Sequence, residues 1–266
     1  MKVAIIGAGN IGTALAKGFA KGTLVKEEDI SISNRSLAKL EALKEECPAI
    51  HISQDNKAVV ADADIVFLCV KPWKIEMVIQ EVKHKLDYSR QMIVSLAAGV
   101  GTAALTGYLD KRDGVLPPVF YLIPNTAISV QSSMTFFCSS NASEEQEALI
   151  EQLFSELGQA MKVEERLMGP GTVLASCGIA YAMRYIRATV EGGIELGFYP
   201  KDAQKIVLHT LKGAVDLLIA TGNHPEEEID KVTTPGGVTI KGLNEMERAG
   251  FTSSVILGLR AGLTKE

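Results

Sequence analysis

The chain has 266 residues, 47% of them hydrophobic, with 27 Lys+Arg against 32 Asp+Glu and a formal net charge of -5 at pH 7. That composition excludes general disorder and gives no broad electrostatic attraction for nucleic acid, while the length fits one large domain or two ordinary ones. No apolar stretch approaches the roughly 20 residues of a membrane-spanning helix, and the run Val3 to Ile6 is too brief for the apolar region of a secretory signal, so a soluble cytoplasmic protein is expected. Four dispersed cysteines, Cys47, Cys69, Cys138 and Cys177, show no Cys-x-x-Cys pairing and read as reduced thiols.

The first predicted element is a buried strand through Val3-Ala4-Ile5-Ile6, followed by Gly7-Ala8-Gly9-Asn10-Ile11-Gly12 and a helical pattern through Leu15, Ala16, Phe19 and Ala20. In a strand-to-helix turn of this kind the first glycine permits a tight turn, the second admits a pyrophosphate and the third lets the helix approach the strand. The amides of Asn10, Ile11 and Gly12, at the helix start, are then free to face phosphates. A dinucleotide site is expected, with a glycine turn of purely structural purpose as the alternative.

Alternation then continues: a strand at Ile30-Ser31-Ile32-Ser33, a helix from Leu37 to Glu46, a short strand near Ile50-His51-Ile52, a brief helix from Lys57 to Ala61, and an interior strand from Asp64 to Val70. A helix from Lys74 to Lys85 and strands at Met92 to Leu96 and Val119 to Ile123 follow. Such alternation predicts a largely parallel sheet with ligands beyond the carboxyl ends of its strands. At the second strand's end stands Asn34-Arg35-Ser36, with no Asp or Glu to hold a ribose 2'-hydroxyl. Arg35 can pair with a 2'-phosphate while Asn34 and Ser36 offer hydrogen bonds, which favours NADPH; if Arg35 is only a solvated charge, NADH serves as well. Further candidate cofactor contacts are Val70, Lys71 and Pro72 after the interior strand, Ala97 in the small-residue loop Ala97-Ala98-Gly99-Val100, and Asn125 in Pro124-Asn125-Thr126. Asn125 reads equally well as a structural cap, and Trp73 as a cover for, or packing under, the site's edge.

Strands at Met134 to Cys138 and Ala160 to Val163 flank a predicted helix from Ser143 to Leu157, which opens with a capping box of Ser143 and Gln146. His51 and His84 lack ligand spacing, and no metal is expected. The first domain is placed at 1–165 and a helical domain at 166–266. In the latter, Thr172 to Gly197 reads as a helix broken at Gly178 and Gly192-Gly193, Lys201 to Thr221 as a second helix ended by Gly222-Asn223-His224-Pro225, and two more begin near Thr239 and Ser253. Helices this apolar are hard to bury within one chain, so a homodimer is expected, with a self-contained helical cap as the alternative. Before Thr239 lies Thr233-Thr234-Pro235-Gly236-Gly237-Val238, a turn whose backbone amides, with the hydroxyls of Thr234 and Thr239, suit a carboxylate. A merely structural loop is the alternative.

Together these residues resemble the pyrroline-5-carboxylate reductase family. The resemblance spans almost the whole chain and rests on Gly7-Ala8-Gly9-Asn10-Ile11-Gly12, Val70-Lys71-Pro72, Pro124-Asn125-Thr126 and, most specifically, His224-Pro225 leading to Asp230-Lys231-Val232-Thr233-Thr234-Pro235-Gly236-Gly237-Val238-Thr239-Ile240. It implies an α/β protein with an N-terminal Rossmann-like dinucleotide-binding domain and a C-terminal all-helical dimerisation domain, dimers in some members joining into rings. It also implies NADPH-dependent reduction of a carboxylated cyclic imine, 1-pyrroline-5-carboxylate, to L-proline. Thr234, Gly236, Gly237, Val238 and Thr239 would bind substrate, and Thr239 would act at the ring nitrogen. Two departures stand out: Tyr121 occupies the arginine position of the family's Arg-x-Met-Pro-Asn, and Cys177 and Ile179 fall within its Gly-Ser-Gly-Pro-Ala-Tyr segment. Rival readings are a reductase of another small imine or keto acid and a non-enzymatic NADPH sensor. A hydroxyacid dehydrogenase fits less well, since no lysine stands at an acid-base position between Gly171 and Lys201.

Overall fold

The structure, a computed structural model, describes residues 1–263. The chain divides between Ser176 and Cys177 into two compact units.

The first unit holds one sheet with strands β1 (Val3–Ile6), β2 (Ile30–Ser33), β3 (His51–Ser53), β4 (Ile65–Leu68), β5 (Met92–Ser95), β6 (Val119–Ile123), β7 (Ser133–Ser140) and β8 (Gly158–Lys162). Their spatial order is β3-β2-β1-β4-β5-β6-β7-β8. All neighbouring pairs run parallel except β6 and β7, where Val119 faces Ser140 and Ile123 faces Phe136. The helices are α1 (Asn10–Lys21), α2 (Leu37–Glu46), α3 (Asn56–Val60), α4 (Ile75–Val82), α5 (Thr102–Leu109), α6 (Glu144–Ser155) and α7 (Met168–Gly171). A π-helical turn, Thr172–Cys177, marks the boundary between the units.

Strand alternation sorts side chains to the two faces of this sheet, and each face has its own core. Val3, Ile5, Ile65 and Phe67 pack on one side with Leu15, Phe19, Leu153 and Phe154. Ala4, Ile6, Val66 and Leu68 pack on the other with Ile75, Ile79, Leu105 and Leu109. Phe19, Phe67 and Phe154 form a mutual aromatic contact with ring centroids 5.3 to 6.1 Å apart. The predicted capping box is formed, Ser143 accepting from the Gln146 amide and Gln146 from the Ser143 amide.

The second unit consists, among the described residues, of helices α8 (Gly178–Glu195), α9 (Pro200–Thr221), α10 (Pro225–Val232), α11 (Val238–Arg248) and α12 (Phe251–Leu263). Tyr185 and Phe251 meet edge to face. No helix of the described residues is long and apolar enough to cross a membrane.

Several predicted boundaries are corrected. Gly178 opens α8, and Gly192 and Gly193 lie inside it without breaking it; a Cβ on Gly193 would stand 3.2 Å from the Cβ of Ala203, so the glycine serves close approach of α8 and α9. Pro225 starts α10, because a proline at the first helical position gives up an amide that has no helical partner there. Helix α5 has no counterpart among the predicted elements, and the predicted helix from Lys74 to Lys85 ends at Val82, with Lys83–Lys85 a 3-10 turn.

Candidate functional site

In the first unit the strand order reverses between β1 and β4, which opens a crevice at their carboxyl ends. Gly7 ends β1, donating its amide to the Ser33 carbonyl at 2.8 Å, and holds φ +109°. Gly12, in the first turn of α1, leaves so little room that a Cβ there would come 1.9 Å from the Gly7 carbonyl oxygen. Gly9 caps α1 without any side-chain bond, and a Cβ on it would meet nothing within 4 Å. The first bond from α1's start runs from the Thr13 amide to the Gly9 carbonyl, so the amides of Asn10, Ile11 and Gly12 precede the helical ladder. A backbone cradle with open space over Gly9 and a helix dipole behind it fits a diphosphate.

Beside it, Asn34, Arg35 and Ser36 leave β2. Asn34 is tethered at both ends, its amide donating to the Ser53 carbonyl and its Nδ2 to the Ser36 carbonyl. The Arg35 carbonyl accepts from Gln54, while its exposed guanidinium makes no ion pair or hydrogen bond with the described residues. Ser36 caps α2 without using its hydroxyl. A cation and a hydroxyl with no partner among the described residues at this strand end suit a ribose phosphate.

Across the crevice, Cys69 donates its amide to the Ile6 carbonyl, and Val70, Lys71 and Pro72 carry the chain into a 3-10 turn. Lys71 is exposed, as is Trp73 at 76%, so Trp73 does not pack under the site. Ala97, buried at the end of β5, donates to the Ser95 hydroxyl, and Gly99 donates to the Tyr121 hydroxyl at 2.9 Å. Glu165 accepts from the Thr102 amide at 2.8 Å and from the Thr102 hydroxyl. The Asn125 side chain accepts from the Ala127 amide at 3.0 Å, so its carbonyl is in use as a cap. Nothing in the local pattern points to Glu165 or to the hydroxyl of Tyr121, since their partners lie 63 and 22 residues away in sequence.

In the second unit, Thr234-Pro235-Gly236-Gly237 forms a tight turn closed by the Gly237 amide on the Thr234 carbonyl at 2.9 Å. Proline at the second position and Gly236 at φ +72° are what a type II turn requires. Because the turn consumes the Gly237 amide, Gly237 leaves only its missing side chain to a ligand; a Cβ there would stand 2.6 Å from the Thr234 hydroxyl. Gly237 caps α11 with no side-chain bond, so the amides of Val238 and Thr239 open the helix without helical partners. Thr234, Gly236, Val238 and Thr239 are all exposed. This unit therefore holds an amide-rich turn with flanking hydroxyls, matched to a small anion.

Fold and crevice define a dinucleotide-binding α/β unit joined to a helical unit. Residues 2–99 match the family model described as NADP oxidoreductase, coenzyme F420-dependent, and residues 165–266 match that for pyrroline-5-carboxylate reductase dimerisation. Pyrroline-5-carboxylate reductase 2 of Dictyostelium discoideum is 34% identical over 97% of this chain and 89% of its own length. Pyrroline-5-carboxylate reductase 1 of the same organism is 36% identical over 97% of this chain, which spans 48% of that relative's length. The crystal structure of Plasmodium falciparum pyrroline carboxylate reductase with NADP bound shares the fold at a TM-score of 0.87 and 23% identity, covering 99% of this chain and 95% of the other. The chain belongs to the pyrroline-5-carboxylate reductase family.

Proposed function

We propose that the protein reduces the cyclic imine 1-pyrroline-5-carboxylate to L-proline at the expense of NADPH. The observation that carries this reading is the pairing of two backbone anion sites in one chain of this family, the cradle of Gly7, Gly9, Asn10, Ile11 and Gly12 and the turn from Thr234 to Thr239. The family membership supports the reaction, and the Plasmodium falciparum protein of the same fold was solved with NADP bound.

A reduced nicotinamide held in the first unit would supply hydride to the imine carbon; the C=N electron pair would pass to the already protonated nitrogen, giving the amine of proline. The chain's own residues bind and orient. The amides of α1 hold the diphosphate, Arg35 pairs with the 2'-phosphate flanked by Asn34 and Ser36, and Lys71 reaches a phosphate or ribose. Val70, Pro72, Ala97 and Asn125 wall the nicotinamide end. Gly236 and the amides of Val238 and Thr239 anchor the substrate carboxylate with the Thr234 hydroxyl, Gly237 admits it by having no side chain, and the Thr239 hydroxyl orients the ring nitrogen. A protonated imine is already electrophilic, so orientation and exclusion of water suffice without a metal or a covalent nucleophile.

The working form in this reading is a cytoplasmic homodimer formed through the helical unit, a unit able to carry further assembly into a ring, with the first domain at 1–165 and the helical domain at 166–266; a match to the dimerisation family over residues 165–266 supports this division. Loss of NADPH absorbance on adding 1-pyrroline-5-carboxylate, repeated with NADH and with a panel of other cyclic imines and 2-keto acids, tests the reaction. Preference for the pyrroline acid and for NADPH is expected; turnover of a keto acid alone would contradict it.

A further inference from the structure

The loop from β5 to α5, residues 97–101, exposes small residues at the carboxyl end of the sheet, beside the crevice between β1 and β4. Its own turn is closed by the Val100 amide on the Ala97 carbonyl at 3.3 Å, and three side chains hold it from outside. Ala97 donates to the Ser95 hydroxyl inside the core, and Glu165 accepts from Thr102 where α5 begins. Between them Gly99, where a Cβ would meet nothing within 4 Å, donates its amide to the hydroxyl of Tyr121 at 2.9 Å, the one side chain among the described residues that binds it. Tyr121 rises from β6 with its ring buried in the core below the loop, 5% exposed, among residues that also pack on Leu105 and Met168. Burial raises its phenol above the ordinary tyrosine value, so the hydroxyl stays neutral and serves as a fixed acceptor.

We propose that Tyr121 is a positioning residue for the cofactor: its hydroxyl sets the height and rigidity of the 97–101 loop against which the nicotinamide half of NADPH lies. The inference rests on the cofactor reading above. A loop already fixed in its bound form loses little freedom when the ring arrives, so the Tyr121 bond contributes to affinity for the ring-bearing half without touching it. The phosphate-binding half, held by α1 and Arg35, lies outside its reach.

Two probes separate these halves: NADPH itself, and 2'-phospho-ADP-ribose, which lacks the nicotinamide. Tyr121→Phe deletes the hydroxyl and keeps the ring in the core. Loss of one neutral hydrogen bond should weaken NADPH about three- to tenfold in equilibrium titrations, with affinity for 2'-phospho-ADP-ribose unchanged and the KM for the imine at saturating NADPH unchanged. Tyr88→Phe removes another buried hydroxyl bond, the one donated to the Leu109 carbonyl at 2.6 Å, and serves as the control that leaves both affinities as they were. Equal NADPH affinity in Tyr121→Phe and the unaltered protein overturns the proposal, as does a parallel loss of both probes or the same loss in Tyr88→Phe. If the unaltered protein binds neither probe, the cofactor reading falls and this proposal falls with it; if it binds both and Tyr121→Phe matches it, the proposal falls alone.

Discussion

The two units solve the problem of stability differently. In the first, Phe19, Phe67, Phe120, Phe137 and Phe154 are fully buried and both faces of the sheet are covered. In the second, Ala203 and Val207 are the only buried residues among those described, while Leu196, Ile219 and Val238 stand 82%, 78% and 85% exposed. Hydrophobic burial contributes roughly 25 cal/mol per Å² of apolar area, so a helical unit leaving so many large apolar side chains in water forgoes most of that stabilisation as a single chain. Apolar surface on this scale marks an interface. The first unit's architecture is thus encoded within one chain, whereas the second unit carries an apolar surface that its own chain leaves uncovered among the described residues.

Core truncation in the first unit should have the largest effect. Phe67→Ala removes one ring of the three-ring cluster and is expected to cost about 3–5 kcal/mol, read as a lower denaturant midpoint; an unchanged midpoint would remove the contrast. In the second unit, Val215→Asp with Ile219→Asp, one turn apart on α9, should instead lower the mass in solution from dimer to monomer while the first unit's unfolding midpoint holds. Unchanged mass would place the partner surface elsewhere.

The units also differ in the anion proposed for each, a dinucleotide phosphate in the first and a small carboxylate in the second. If Arg35 pairs with the 2'-phosphate as proposed, Arg35→Ala should cost about 1.5–3 kcal/mol, NADPH binding roughly tenfold to a hundredfold more weakly in titration and NADH about as before. Thr239→Ala should lower kcat/KM for the imine by loss of a hydrogen bond to the protonated ring nitrogen, about 1.5–3 kcal/mol or roughly tenfold to a hundredfold, with the dissociation constant of NADPH unchanged. The smallest expected effect concerns the thiols: burial pushes Cys138 up to about 12, so in the folded protein it should remain unlabelled by a thiol reagent near neutral pH and react once denatured.

Much of the first unit is legible in sequence because its strands, buried on both faces, read as unbroken apolar runs and its first glycines sit at a strand-to-helix turn. The reversal of β7 against β6 is not, because it follows from a 3-10 turn at Thr126–Val130 and from Gln131 at φ +55°, neither of which leaves an apolar pattern. Helix α5, with Thr102-Ala103-Ala104-Leu105-Thr106-Gly107-Tyr108-Leu109, combines small residues and a glycine, and its N-terminus is capped by distant Glu165. Helix α10 was hidden for the opposite reason: only Ile229 and Val232 interrupt its polar face, although Pro225 followed by Glu226, Glu227 and Glu228 is the local signal of a helix start. At the turn before α11 the residue types were readable, but not that Gly237 spends its amide on Thr234.

Transfer of hydride from nicotinamide to imine carbon is open to direct measurement with NADPH carrying deuterium at both C4 positions. Incubated with this protein and 1-pyrroline-5-carboxylate, it should yield proline bearing a single deuterium on the former imine carbon, with matching loss of reduced cofactor. Proline without deuterium, or cofactor that binds and is never oxidised by the imine, would contradict the assignment.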